Sequence, residues 1–425
     1  MDQGVLKKPE KLWTYTFGCK VNQADTAYLE NSLAQSTGCE VNQDTPPDTI
    51  LINTCTVTAS ADRQARRLIR RLHRMYPESK VVVTGCYAQA KPHEVSQLEG
   101  VHTVLPLAGQ RAFVERWGGA PLSGAFFPQT KKTRLNLKLQ DGCNAYCSFC
   151  ILPYVRGRSR SIDPELLEAA ARDAREKFHE IVLTGTHLAG YGRDLSPRLR
   201  LSDIVRRILA AAPGMFARIS SLEPTGLTPD FIRLVSQEKR IRPHFHIPLQ
   251  SASAKVLRRM NRKYTAKNFH DRILALHAAS RDPMIGTDVI VGFPGETAAD
   301  FEETYRFLEA LPLTQIHVFP YSPREGTRAS AWEDDVPFAE KKARVHRLMA
   351  LSRRKKLDFL SAFVGRVEPV LVELHEDAQG RLKGHNPHHA LVHFAGPARL
   401  KQREVEVRCT SVENADEPYL VGQVA

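Results

Sequence analysis

Strand-like apolar runs alternate with helical patterns from Leu12 to Tyr321, and this alternation commits most of the chain to parallel sheets with crossover helices. The runs fall into two sets. LWTYTFG, TILINT and KVVVTG lie between Leu12 and about Gln110 and suggest an open parallel sheet. LNLKLQ, EIVLTG, FARISSL, HFHIPLQ, GTDVIVGF and QIHVFPY follow from Leu135, separated by helical patterns such as Pro164–Phe178 and Ala299–Leu311. Six β–α units fit an open, incomplete relative of the eight-fold barrel, a partial (β/α)6 barrel. Trp117 to Thr133, rich in Gly and Pro, reads as the linker between the two sets. A basic helical stretch, Glu340 to Leu360, closes the second. From Ser361 the period changes to short alternating strands, GRVEPVLVELHE, RLKGHN, HALVHFA and REVEVRCTSV, which suggest a small antiparallel β-barrel. The fold class is α/β with a β tail, and the expected domains are 1–129, 130–360 and 361–425.

A chain of 425 residues, 42% hydrophobic and 25% charged, has the composition of a soluble globular protein. No run approaches the eighteen or so apolar residues that a membrane span requires, and the start, Met1-Asp2-Gln3-Gly4, lacks a signal-peptide pattern. A cytoplasmic location with no membrane partner is expected. In that reducing compartment cysteines serve more often as ligands or catalysts than as disulfides. The net charge of +13 suits a polyanionic partner, nucleic acid above all.

Six of the eight cysteines stand just beyond strand ends. Cys19 follows TYTFG, Cys55 follows ILINT and Cys86 follows VVVTG. In an open parallel sheet those ends share one edge, where ligands bind. The alternative for any single one is a buried structural cysteine. Cys39 has no such placement. The other triad, Cys143, Cys147 and Cys150, is spaced C-x₃-C-x₂-C after LNLKLQ, at the mouth of the barrel. Structural zinc normally takes four protein ligands, whereas three thiolates suit an iron–sulfur cluster with one iron left open. The spacing of the second triad is similar to the opening motif of radical S-adenosylmethionine enzymes, in which the open iron holds the cofactor. Further strand-end residues suggest the cofactor's pocket: Gly185 and Thr186 in LTGTH, Ser221 and Glu223 in SSLEP, His246 and Gln250 in HFHIPLQ, and the segment VIVGFPGE. Phe149, between two of the cysteines, offers either a surface for the adenine or core packing.

TFGCKVNQAD, INTCTVTASADRQAR, TGCYAQ, LQDGCNAYCSFCILPYVRGRSRS and VGFPGET together resemble a radical S-adenosylmethionine methylthiotransferase over nearly the whole chain. The resemblance implies an N-terminal domain with an auxiliary 4Fe–4S cluster on Cys19, Cys55 and Cys86. It implies a central radical domain with a second 4Fe–4S cluster on Cys143, Cys147 and Cys150, and a C-terminal TRAM domain that binds RNA. GCKVNQ with NTCTVT is most similar to the branch that acts on tRNA carrying N6-threonylcarbamoyladenosine beside the anticodon. The branches acting on isopentenyl-adenosine and on a ribosomal-protein aspartate tend to show GCQMN and GCPKN. The implied reaction adds a methylthio group at C2 of the modified adenosine. One S-adenosylmethionine methylates a sulfur on the auxiliary cluster, and a second yields the radical that removes the C2 hydrogen. Such chemistry also calls for an electron donor, such as flavodoxin or ferredoxin, and a sulfur source. The rival from another class is a non-catalytic iron–sulfur protein that binds RNA or acts as a sensor.

The tail departs from expectation for an RNA-binding domain. From Arg366 onward it holds 7 Lys+Arg and 9 Asp+Glu, a net of −2. A basic stripe lies elsewhere: Arg63, Arg66, Arg67, Arg70, Arg71 and Arg74 share one face of a helix whose other face is Ala65, Leu68, Ile69 and Leu72. No acid is interleaved among these arginines, and a phosphate backbone would relieve their mutual repulsion. The alternative is a solvated face.

Overall fold

The computed structural model describes residues 8–41, 45–116 and 132–425. The expected linker, Trp117 to Thr133, lies outside them except for Lys132 and Thr133. The first sheet contains β1 (Lys11–Thr16), β2 (Glu40–Val41), β3 (Thr49–Thr54), β4 (Lys80–Gly85) and β5 (Val101–Leu105). All pairs are parallel, in the order β2-β1-β3-β4-β5. Alternate residues of β3 and β4 serve opposite faces, as the pleat requires. Ile50, Ile52, Val81 and Val83 pack on Ala65, Ile69 and Leu72 of α2 (Ala59–Met75). Leu51 and Val82 pack on Leu29 and Leu33 of α1 (Lys20–Thr37). Burial on both faces is why these strands are continuous apolar runs. Thr58 caps α2, its side chain accepting from the Ala61 N–H.

The central strands are β6 (Leu135–Asp141), β7 (Arg160–Ser161), β8 (Glu180–Gly185), β9 (Phe216–Ile219), β10 (His244–His246), β11 (Met284–Val291) and β12 (Gln315–Pro320). β7 is antiparallel to β6, and the other six run parallel. Two isolated parallel bridges, Ala217 to Ile241 and Ser221 to His246, join the β9 and β10 segments. The result is the expected partial (β/α)6 barrel. The long helix Phe338–Ser361 packs along β12, where Ser352 Oγ accepts from the Ile316 N–H at 2.8 Å. Much of its positive charge is paired: Arg344 with Glu296, Arg347 with Glu302, Arg354 with Glu309 and Lys356 with Glu417.

The tail forms a closed barrel of β13 (Val367–Val372), β14 (Leu382–His385), β15 (Leu391–Ala395), β16 (Glu404–Glu413) and β17 (Tyr419–Val424). It corrects the purely antiparallel expectation, because β15 and β17 pair in parallel. A closed ring of five strands cannot alternate direction all the way round, so β17, absent from the sequence-based list, forces one parallel pair. Among the described residues no helix is long and apolar enough to cross a membrane.

A buried ion cluster docks this small barrel on the central one. Glu180 and Arg218 are each 1% exposed, with Arg218 Nε donating to Glu180 Oε1 at 2.7 Å. Arg242 donates to the other oxygen at 3.2 Å, and Arg134 Nε stands 3.1 Å from Oε1. Arg134 and Arg242 then reach into the tail, each meeting a carboxylate at 2.6 Å, Glu373 and Glu404 respectively. Burial raises a carboxyl pKa, but the guanidiniums, Arg218 foremost, outweigh it and hold Glu180 at about 2. This stabilisation is complete above the ordinary carboxylate pKa of about 4.5 and is lost as pH falls towards about 2. Glu180→Gln is expected to destabilise the protein by about 3–5 kcal/mol, because it strands buried cations. Thermal unfolding across pH checks this: the variant's midpoint should fall and its acid sensitivity shrink, while an unchanged midpoint would remove the cluster's role.

Candidate active site

The register of the first sheet brings three cysteines together. β1, β3 and β4 are neighbours, and Cys19, Cys55 and Cys86 follow their carboxyl ends. Cys19 precedes α1 as its N-cap, and Cys86 opens α3 (Cys86–Ala90). Two glycines make the approach possible. A Cβ on Gly18, at φ +88°, would lie 2.7 Å from Cys55 Cβ, and one on Gly85, at φ +92°, would lie 2.3 Å from Thr54 O. Cys86 Sγ stands 3.8 Å from Asn22 Oδ1 on α1. Cys39 packs instead with Leu12, Leu29 and Leu33, and Cys409 sits in the core of the C-terminal barrel.

Cys143, Cys147 and Cys150 follow β6 in a turn braced from several sides. Gln140 Nε2 donates to Gly142 O at 2.6 Å, and its Oε1 accepts from the His187 N–H at 2.7 Å. Ser148 Oγ donates to Arg259 O, and Asn261 Nδ2 donates to Tyr146 O, both at 2.8 Å. All six strand-end cysteines are free thiols. Burial pushes Cys86 and Cys150 up to about 12 and Cys143 up to about 11. A metal centre taking these sulfurs as thiolates would release protons on loading.

Whether the residues suit iron–sulfur centres can be judged from the donors around the sulfurs. The Val57 N–H donates to Cys55 Sγ at 3.5 Å, the Ala145 N–H to Cys143 Sγ at 3.4 Å, and Arg262 Nη1 to Cys147 Sγ at 3.1 Å. Such donors stabilise electron-rich cluster sulfurs and tune their potential. Among the described residues, no three metal-ligating groups converge as they would on a single ion. The donor set fits three-thiolate clusters.

Arg156 lies between the triads. Its side chain is 1% exposed and donates to Asp25 at 2.9 Å, to Asp141 at 2.9 and 3.0 Å, and to Asn22 Oδ1. Lys138 pairs with Asp25 and stands 3.4 Å from Asp141. Burial would raise Asp141, but Lys138 and Arg156 hold it well below the carboxylate range. Asp25 and Asn22 belong to α1, whereas Lys138, Asp141 and Arg156 belong to the barrel, so the network spans both bodies. Arg324 with Asp62, at 2.9 Å, and Lys91 with Glu325, at 3.1 Å, add ties around the same junction.

The residues expected to hold S-adenosylmethionine separate into groups. Gly185, Thr186, Ser221 and His246 line a cavity of about 1070 Å³ together with Cys19 and Arg156. Thr186 Oγ1 donates to Asp141 at 3.0 Å, and His246 Nε2 lies 3.0 Å from Asp288. Glu223 lines a separate cleft of about 290 Å³ beside Cys147, where it accepts from Arg262 at 2.6 Å. Gln250 and Phe149 line neither cavity. Gln250 has φ +71° and a buried side-chain oxygen with no partner. Phe149 meets Phe293 edge-on in an apolar cluster. Glu296 of VIVGFPGE accepts from Arg344 and from the Gly292 N–H. Sequence reasoning missed Arg156 and Arg262. Arg156 stands inside the quoted ILPYVRGRSRS, but the signal for its role is its partners, which are distant in sequence.

On α2, Arg63, Arg67, Arg70, Arg71 and Arg74 are exposed and have no ion-pair partner among the described residues. Arg66 differs: its Nη1 donates to Glu94 at 3.0 Å and to Tyr87 at 2.9 Å.

Comparison with known proteins agrees with this architecture. The model of the Radical SAM superfamily matches residues 137–308, and that of Uncharacterized protein family UPF0004 matches residues 11–106. The chain is 35% identical to Threonylcarbamoyladenosine tRNA methylthiotransferase MtaB of Bacillus subtilis (strain 168), over 96% of this chain and 95% of that protein. It is 35% identical to the protein of the same name from Aquifex aeolicus (strain VF5), over 84% and 91%. It is 31% identical to tRNA-2-methylthio-N(6)-dimethylallyladenosine synthase of Pelotomaculum thermopropionicum (strain DSM 13744 / JCM 10971 / SI), over 94% and 95%. Among solved structures, the radical S-adenosylmethionine methyltransferase TsrM from Kitasatospora setae shares the fold, with a TM-score of 0.57 at 12% identity over 76% of this chain and 77% of that one. The chain belongs to the radical S-adenosylmethionine methylthiotransferase family that acts on tRNA. Its cofactors are S-adenosylmethionine and 4Fe–4S clusters, two per chain.

Arg156→Met would leave buried Asp25 and partly buried Asp141 sharing Lys138 alone, at an expected cost below the about 3–5 kcal/mol of a fully stranded buried charge. Hydrogen exchange should show α1 and the turn Asp141–Cys150 losing protection together. Loss confined to one side of the junction would contradict the shared network.

Proposed function

We propose that this enzyme inserts a methylthio group at C2 of N6-threonylcarbamoyladenosine beside the anticodon of tRNA, in the cytoplasm. In this proposal Cys19, Cys55 and Cys86 hold the auxiliary cluster, and Cys143, Cys147 and Cys150 hold the radical cluster. The observation that carries it is the sharing of one cavity by Cys19, Arg156 and the strand-end residues Gly185, Thr186 and Ser221. A reaction that joins sulfur to an unactivated carbon needs the sulfur site and the radical site to face the same atom. The choice of modified base is supported by the two relatives at 35% identity, whose names specify threonylcarbamoyladenosine. The dimethylallyl reading is favoured by relatives at 31% and 30% identity.

When bound, the clusters and S-adenosylmethionine supply the methyl group, the sulfur and the radical, and the protein positions them. Gly185 lines the cavity without a side chain, where the cofactor's methionine end would lie. Arg262 donates to Cys147 and holds Glu223 beside the radical turn. Arg156 fixes the distance between the two turns. The domains divide the work as 1–129 for the auxiliary cluster, 130–360 for the radical centre and 361–425 as a TRAM-like barrel. An electron donor of the flavodoxin or ferredoxin type and a sulfur source complete the set of partners.

The exposed arginines of α2 provide the main tRNA contact in this proposal. The first residues of α2 lie just after Cys55, so bound RNA would run beside the auxiliary site. Arg67→Glu with Arg71→Glu should weaken tRNA binding and flatten its dependence on salt, since each lost phosphate contact removes a released counterion. Affinity measured at several salt concentrations decides this, and an unchanged slope and affinity would return the stripe to a solvated surface.

The test of the whole proposal is anaerobic incubation with tRNA bearing threonylcarbamoyladenosine, followed by mass spectrometry of the nucleosides. The methylthio product should appear in wild type. It should vanish in Cys143→Ala together with cofactor cleavage, and vanish in Cys19→Ala while some cleavage remains. Cys39→Ala should keep both clusters, and loss of iron there would overturn the ligand assignment. Product only on isopentenyl-adenosine tRNA would select the other branch.

A further inference from the structure

The large cavity is lined by charges from all three parts of the chain, and most of them are balanced locally. Arg156 meets Asp25 and Asp141, Lys356 meets Glu417 at 2.9 Å, and Asp288 lies 3.0 Å from His246. Glu373 meets Arg134 at 2.6 Å and His385 at 3.1 Å. Two lysines stand outside this balance. Lys20, the first residue of α1, and Lys383, on β14, both line the cavity and are half-buried. Neither side chain has an ion-pair or hydrogen-bond partner among the described residues. The same lining includes His244 and His389, whose rings meet at 4.7 Å and whose Nδ1 atoms are buried with no partner.

Partly buried ammonium groups without counterions are costly, and unpaired buried ring nitrogens add to that cost. Their collection around one cavity, beside Cys19, marks a place for an anionic group that also forms hydrogen bonds. Acids in the lining do not fill that role, since each already has a basic partner.

We propose that Lys20 and Lys383 form an anion subsite that holds the carboxylate of the N6 substituent of the substrate base, with His244 and His389 meeting the polar groups of the same substituent. The inference rests on the threonylcarbamoyladenosine reading and deepens it by assigning specificity to named residues. A threonylcarbamoyl group ends in a carboxylate and carries a hydroxyl and a urea-like linkage. A dimethylallyl group has none of these and would leave the two ammoniums desolvated and unpaired, so the same residues that attract one base disfavour the other. The lysines come from the first domain and the C-terminal barrel, so the subsite is complete only when both are docked on the central barrel.

The experiment compares binding of one tRNA sequence with and without the threonylcarbamoyl group, to wild type, Lys20→Met and Lys383→Met. Wild type should favour the modified tRNA. Each variant should lose roughly tenfold or more in affinity for it, the worth of a charge-assisted contact, and keep its affinity for the unmodified tRNA. Iron content equal to wild type shows that Lys20→Met leaves the neighbouring cysteine turn intact, and Lys383→Met makes the same test far from that turn. Equal losses on both tRNAs would mean that the lysines hold backbone phosphate, and the proposal falls. A preference for modified tRNA that survives in both variants would overturn it as well. A wild type with no preference would defeat the threonylcarbamoyl reading itself, and the subsite with it.

Discussion

One buried guanidinium sets the geometry on which the rest of this active site depends. Arg156 immediately follows a short helix turn, Leu152–Val155, and ends among Asp25, Asn22 and Asp141. Breaking such a contact costs more than forming it gains, because the partners left behind are charged and dry. The first domain therefore has one strongly preferred position on the barrel. Asn22 lies three residues after Cys19, and Asp141 lies two residues before Cys143. Fixing those two side chains on one guanidinium fixes the cysteine turns relative to each other. A reaction shared by two clusters requires this kind of rigidity more than it requires acid–base groups.

The opposite end of the central barrel follows the same rule with the signs exchanged. There a single carboxylate, Glu180, gathers three arginines, and two of these extend to Glu373 and Glu404 of the C-terminal barrel. The acid excess of the tail has a partial structural explanation: Glu373, Glu404 and Glu417, the last through Lys356, are docking groups. A domain so arranged covers the cavity and contributes Lys383 and His385 to its wall. Its own local basic residues are partly engaged, Lys401 with Glu376 at 2.8 Å and Arg408 with Gly365 O at 3.3 Å. On α2, by contrast, five arginines stay exposed with no ion-pair partner among the described residues.

Much of this was legible in the sequence because it is local. All nine strand candidates of the two parallel sets form strands, since burial on both faces imposes continuous apolar runs. The cysteine placement followed from the strand ends alone. The tail's fifth strand, YLVGQV, was missed because it follows the turn-rich VENADEP with only six residues of pattern, and the parallel pair it creates is a property of ring closure. The cofactor pocket was the least legible part. Ser221 and Glu223 are two residues apart yet face different cavities, and Phe149 turns towards Phe293. Arg156, Arg262, Lys20 and Lys383 gain their meaning from partners, or the absence of partners, that tertiary packing alone decides.

The central claim is that the shared Arg156 network holds two cluster-bearing turns in a fixed relation, and the most direct measurement is electron paramagnetic resonance of the anaerobically reconstituted, fully reduced protein. Spin–spin interaction between the two reduced clusters should broaden the signal and speed its relaxation relative to Cys19→Ala and Cys143→Ala, each of which retains one cluster. A wild-type spectrum equal to the simple sum of the two variants' spectra would contradict the account.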